Sequence, residues 1–192
     1  GSKIWENYEK TSGMSTMYDT DNPISSWVMA AKSPIEHLMV HFSEDEVKGM
    51  MLAWTKIVAA GTLLSVRYKK DIEKVRPNDV DGVTYGAIQL GKTVSGADYL
   101  QSINTVHAFG RKMALLLEEF DILVSPTLAE PPAKTGRFKP VNSDFLNYRS
   151  GPDGVFTYSP YTAIFNASGQ PAMSLPLYWT PDDLPIGVHF AA

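Results

Sequence analysis

Tyr161-Thr162-Ala163-Ile164-Phe165-Asn166-Ala167-Ser168-Gly169-Gln170-Pro171-Ala172-Met173-Ser174-Leu175-Pro176, followed by Leu184-Pro185-Ile186-Gly187-Val188-His189, is the stretch on which the fold turns. Ala167 to Pro171 has the composition of a turn, in which Gly169 supplies backbone freedom and Pro171 fixes the exit. Ala172 to Tyr178 reads as a strand, Thr180-Pro181-Asp182-Asp183 as an acidic turn, and the final residues as a second strand, which predicts an antiparallel hairpin. Ala172 and Ser174 are small enough for close packing, and Gly187 lets a neighbouring element approach the last strand. The closing run Ile186 to Ala192 has no turn or cap after it, so the chain reads as a fragment.

Upstream, Asp121-Ile122-Leu123-Val124-Ser125-Pro126 is a short β-branched run that predicts a buried strand ending at a proline and pairing outside the hairpin. Between it and the stretch above, Thr127 to about Gly154 holds Pro131, Pro132, Pro140 and Pro152 and reads as a long loop, a lid or a wall of a site. Helices come first. Ser43-Glu44-Asp45-Glu46 is a capping box before Val47, Met50, Met51, Trp54, Ile57 and Val58, and it predicts a long helix from Glu44 to about Tyr68, weakened by Gly61. A shorter helix is predicted over Asp81 to Leu90. Ser95-Gly96-Ala97-Asp98 caps another, with Leu100, Ile103, Val106, Phe109, Met113, Leu116, Leu117 and Phe120 as its apolar face. Residues 1–43 read as a tag scar, Gly1-Ser2, and an irregular lead-in arm; residues 44–192 form one incomplete domain.

Composition narrows the function classes. The chain has 192 residues, 44% of them hydrophobic and 20% charged, with Lys+Arg 17 against Asp+Glu 21 and a net charge of −4. That is the profile of an ordinary globular protein. A net-negative chain with no basic cluster beyond Lys69-Lys70 has no footprint for nucleic acid. No apolar run approaches the ~20 residues that span a bilayer, so no membrane partner is expected. Cysteine is absent, which removes disulfides, thiolate metal sites and a Cys nucleophile, and the cytoplasm is the expected location.

Three patterns invite a chemical reading. Gly86-Ala87-Ile88-Gln89-Leu90-Gly91-Lys92-Thr93 matches the phosphate-binding expression G-x-x-x-x-G-K-[ST]. Its context lacks a buried strand before the loop, and the next helix is capped only at Ser95; a helix ending at Gly91, with Lys92 as a solvated charge, is the competing reading. His37 and His41 share a face on either a helix or a strand, so a zinc site competes there with plain structure. His107 falls on the polar side of its helix, and His189 alternates within the last strand; both read as structural. No G-x-S-x-G elbow is present. Ser168-Gly169 lies between a possible helix and a strand without a base, and Asp182 and Asp183 fit a turn better than an acid/base pair.

The stretch Phe156 to Pro176, with Leu184-Pro185-Ile186-Gly187-Val188-His189, resembles the carboxy-terminal part of the amidase signature family. The family runs T-x-x-x-N-x-x-G-x-P-A-x-S-x-P, a short turn, then L-P-I-G-V. Asp121 to Thr127 is similar to its upstream D-x-L-x-x-P-T strand. The resemblance covers about Glu44 to Ala192, and the Asn-Ala-Ser-Gly-Gln-Pro-Ala wording is similar to bacterial hydrolases of linear or cyclic amides. It implies the carboxy-terminal part of an α/β/α sandwich with a mixed sheet, helices first and strands last, and carboxamide hydrolysis with no metal or organic cofactor.

The same resemblance implies what this chain lacks. The family's Lys, bridging Ser and nucleophilic Ser lie in its amino-terminal half, in a Gly/Ser-rich setting of which this sequence has no copy. No catalytic residue is therefore assigned here, and the chain alone is expected to be inactive. Its expected contribution is a pocket wall, for which Thr127, Tyr161, Thr162 and Phe165 are the candidates. Its expected partner is the missing amino-terminal half or a second copy, with a small amide as the parent's substrate. Glutamine-dependent amidotransferase subunits share these motifs, and a non-catalytic module on the same scaffold is the alternative from a different class.

Overall fold

The computed structural model describes residues 42–68, 71, 74–118, 121–141 and 143–192, and the side chain of Glu44 is outside that description. The lead-in arm, His37, His41, Lys69-Lys70 and Phe120 lie outside the described residues. The elements are α1 Glu44–Arg67, α2 Gly82–Thr93, α3 Gly96–Leu117, β1 Leu123–Pro126, α4 Phe145–Ser150, α5 Val155–Tyr158, α6 Thr162–Ser168, β2 Ala172–Trp179 and β3 Pro185–Ala191. Helices precede strands, and the class is α/β. The chain divides into two compact units, one built from Asp45–Gly110 and Lys134–Thr157, the other from Arg111–Ala133 and Tyr158–Ala192.

In the first unit, α1 buries Met50, Met51, Ala53, Thr55 and Ala59. Contrary to the sequence expectation, residues Asp45–Arg67 of this helix are long and apolar enough to cross a membrane, by length and composition alone. The Thr55 hydroxyl turns back to donate to the Met51 carbonyl at 2.8 Å. Helix α2 starts at Asp81, whose carboxylate accepts from the Thr84 N–H at 2.8 Å and the Thr84 hydroxyl at 2.7 Å. These bonds hold the Asp81 carboxyl below its usual range, the side-chain bond most and the backbone bond next. Ala59, Ala87 and Phe145 form a core cluster with Val58, Val83 and Leu90 against it.

Two expectations are corrected here. Helix α2 runs to Thr93 with Val94 as its C-cap, so it does not stop at Leu90 or Gly91. The supposed phosphate loop, Gly86 to Thr93, is thus helix: its amides face along the axis into intrahelical bonds and none is open to cradle a phosphate. Gly91 continues the helix because it permits close packing, a Cβ there meeting the Ala59 carbonyl oxygen at 2.6 Å. The long loop also contains ordered structure. Asp144 caps α4 by accepting from the Asn147 N–H at 3.0 Å, and α5 follows Gly154.

Helix α3 carries the predicted capping box, with Asp98 in the partner role. Ser95 N–H and Oγ both reach the Asp98 carboxylate, at 3.1 and 2.5 Å, and the Asp98 N–H donates to Ser95 Oγ at 3.1 Å. Its buried stripe is Ser102, Val106, Phe109, Met113 and Leu116, stepping by four and three residues. Leu100, expected on that face, is 64% exposed, because it falls two residues before the stripe begins. His107 is exposed, on the polar side as read.

The second unit holds a three-stranded sheet in the order β1-β3-β2, antiparallel throughout among the described strands. The hairpin β2-β3 is as expected, with a register shift between Pro176 and Tyr178, and Asp183 sits in the left-handed region at φ 58° within its turn. The expectation that β1 pairs outside the hairpin is corrected: it pairs with the hairpin strand β3 on the side away from β2, Leu123 opposite Ala191 and Ser125 opposite His189. Helix α6 ends at Gly169, whose φ of 80° supplies the left-handed cap while its N–H donates to the Phe165 carbonyl at 2.9 Å.

Candidate functional site

Side chains alternate across a sheet, so the register decides which polar groups meet. Ser125 faces His189 on β3, and His189 faces Ser174 on β2. Thr127, just past β1, holds the register by donating its N–H to the Gly187 carbonyl at 3.0 Å. One face therefore carries Ser125, Thr127, Ser174 and His189 together. Thr127 Oγ1 and Ser174 Oγ meet at 2.5 Å above Gly187, where a Cβ would lie 2.6 Å from the first and 2.7 Å from the second. Glycine at 187 is thus what lets the hydroxyl pair form across the central strand, and the expected close approach is between β1 and β2 over β3.

His189 is 4% exposed, with its Nδ1 3.2 Å from Ser125 Oγ and its ring 5.2 Å from that of Phe165. Burial lowers its pKa, so the ring is held neutral. Among the described residues, its Nε2 has no hydrogen-bond partner. The serine–imidazole pair has the atoms of a nucleophile and base, but among the described residues no carboxylate orients the ring, and a neutral ring held this way supports the strand junction.

Of the four residues read as pocket wall, two come to this face: Thr127 through Ser174, and Phe165 through His189. Thr162 lies one turn before Phe165 on α6, and its hydroxyl bonds that of Ser159 at 2.8 Å. Tyr161 is the residue preceding α6, without a side-chain cap. The segment after β1 is tied down by Tyr158, whose carbonyl accepts from the Ala129 N–H and whose hydroxyl accepts from the Ala133 N–H, each at 2.9 Å. His189 read as structural from sequence, and the structure gives it that role; its meeting with Ser125 and Ser174 was not read, because their matched parity on paired strands is visible only with the register.

No three His, Asp or Glu side chains converge as a metal cluster among the described residues. In the first unit, a cavity of about 380 Å³ lies beside α4, lined by Arg137, Phe138, Lys139, Asn147, Tyr148 and Asp153 among others. Near it in sequence, on the same helix, Arg149 donates from Nε to Thr55 Oγ1 at 3.1 Å and lies over the rings of Phe156 and Phe145, 4.5 and 5.5 Å from their centroids.

Residues 37–192 match the family model described as Amidase. The chain is 29% identical over 102 residues to an amidase of Pseudomonas putida, covering 50% of this chain and 20% of that one. It is 25% identical over 140 residues to a lipoamidase of Enterococcus faecalis, covering 65% and 19%. It is 25% identical over 142 residues to a 6-aminohexanoate-cyclic-dimer hydrolase of Paenarthrobacter ureafaciens, covering 68% and 29%. Among solved structures, 6-aminohexanoate cyclic dimer hydrolase complexed with substrate superposes with a TM-score of 0.63 at 19% identity, over 85% of this chain and 37% of that one. The fold is shared, and the matched stretches span 19–29% of the lengths of the three sequence relatives and 37% of that structure.

Proposed function

This chain belongs to the amidase family, and on that premise we propose that it is the carboxy-terminal portion of an amidase, a hydrolase of carboxamide C–N bonds with water as the final acyl acceptor. The observation that carries the proposal is a mismatch of coverage. The family match takes in residues 37–192, most of this chain, while the stretches aligned with the relatives, 50–68% of this chain, correspond to only 19–29% of those relatives. No Gly/Ser-rich stretch of the kind that holds the family's serines occurs in the sequence. In this reading the nucleophile, bridging serine and lysine come from an amino-terminal portion, and the chain by itself is inactive.

The part these residues play is that of wall and scaffold. Thr127, Tyr161, Thr162 and Phe165 shape the acyl or amine pocket, with Thr127 set by Ser174 and Phe165 set by His189. Small linear or cyclic amides are the substrate class. No metal or organic cofactor, nucleic acid or membrane enters the reading, and the site of action is the cytoplasm.

Pairing with the amino-terminal portion is supported by the outer edge of β2. All eight of its residues except Tyr178 are exposed, including Met173, Leu175, Leu177 and Trp179 at 55%, 40%, 57% and 54%. An apolar edge strand of this kind is a liability unless something covers it. Sequencing the locus upstream of the Lys3 codon tests the proposal. A reading frame that continues through a Lys and a Gly/Ser-rich stretch is the expected result; a start codon at or near Lys3 would overturn it in favour of a non-catalytic module on the amidase scaffold.

A further inference from the structure

We propose that Arg149 is the centre of a carboxylate-binding site in the first unit, one that takes a monocarboxylate with an apolar tail. The Arg149 side chain is half-buried, and that desolvation pulls its pKa below the usual arginine value. Among the described residues it has no acidic partner; its only contacts of this kind are Thr55, Phe145 and Phe156. Even partial desolvation of a charge without a counter-ion is costly, and ring faces compensate it only in part.

The group is also held in a fixed pose. Thr55 is fully buried and commits its own proton to the Met51 carbonyl, so its oxygen has only a lone pair to offer Arg149 Nε–H. That bond fixes the end of the guanidinium nearest the chain, and the two phenylalanine rings flank the group. Among the described residues, the N–H donors on Nη1 and Nη2 have no acceptor. Packing alone would be served as well by a methionine or leucine stem; a planar donor fork anchored through Nε is organised in advance for an incoming pair of oxygens. One unit of charge with no second cation acting on it matches a carboxylate monoanion better than a phosphate dianion. The flanking Phe145 and Phe156 match an apolar tail.

Every residue in this inference belongs to one unit, and it does not rest on the amide-hydrolysis reading. The test uses the whole chain with butyrate as the probe, followed by the Nε–Hε NMR signal of Arg149, assigned by its loss in Arg149→Lys. Butyramide and inorganic phosphate serve as controls at constant ionic strength. Butyrate is expected to move the signal saturably, with a dissociation constant on the order of 1 mM. Butyramide is expected to leave it in place, phosphate to bind about tenfold more weakly, and Arg149→Lys to weaken butyrate binding, read by calorimetry, about tenfold. The wild-type signal needs no variant to fold. No saturable shift at butyrate concentrations about a hundredfold higher, or equal binding of butyramide or phosphate, would overturn the site and leave the amidase reading untouched.

Discussion

His189 couples the candidate wall to the acidity of its surroundings. Its imidazole is buried on the central strand against Phe165 and Ser125, and burial lowers its pKa, so protons bind the unfolded chain more readily than the folded one. The sign follows: this residue's contribution is complete above the unfolded pKa of about 6.5 and is lost progressively as pH falls below it, until the native ring itself protonates. Melting midpoints measured across that range should fall with acidity in the wild type, and the fall should be shallower in His189→Gln; identical slopes would remove His189 from the explanation. Gly187 was legible in sequence as a point of close approach, because only the absence of a side chain explains a glycine in a strand so placed. Its neighbours were not: that Thr127 and Ser174 meet above it depends on a register set by Thr127 N–H and the hairpin. Arg149 was illegible for the same kind of reason, since its partner Thr55 lies 94 residues away in sequence.

At the scale of elements, glycine illustrates how one residue type has opposite meanings. Gly61 sits on the exposed side of α1 with nothing near the position of a Cβ, so Gly61→Ala should stabilise the chain by about 1 kcal/mol through helix propensity alone. Gly91 in α2 abuts the Ala59 carbonyl and the Leu63 side chain, so Gly91→Ala should cost about 1–3 kcal/mol by forcing the two helices apart. Denaturant midpoints of the two variants should move in opposite directions; a stabilised Gly91→Ala would mean that α1 and α2 do not pack as described. The same packing accounts for the glycines of the phosphate-loop pattern: Gly86 and Gly91 are spaced for a helix to approach backbone, Gly86 against Ser143 and Gly91 against Ala59. Long helices were legible from period and caps, as the Ser95 and Asp98 box illustrates. Helix α4 was not, because six residues are too few to display a period, and its Asp144 cap stands among prolines and glycines that read as loop.

For the whole molecule, two compact units carry separate polar features: a hydroxyl and histidine face on the sheet of one, and an arginine held by aromatic rings in the other. The sheet carries its polar row on the face that Phe165 closes over His189. Alternation puts Met173, Leu175, Val188 and Phe190 together on the opposite face. The Ala192 N–H donates to the Pro171 carbonyl at 3.1 Å, which makes the backbone groups of Ala172, Ser174 and Pro176 the ones that point away from β3. Pro176 offers no donor there, so a further strand could pair fully only along the first half of that edge. Such an edge, in a chain matched by an amidase model over residues 37–192 whose aligned stretches correspond to 19–29% of the lengths of the amidase, lipoamidase and hydrolase relatives, is consistent with a scaffold completed by other residues. Exposure to a serine-directed fluorophosphonate, followed by intact-mass measurement and run beside the release of a chromogenic anilide, tests this most directly. No adduct and no turnover is the predicted result, and a single stoichiometric adduct accompanied by turnover would contradict it by placing the nucleophile within these 192 residues.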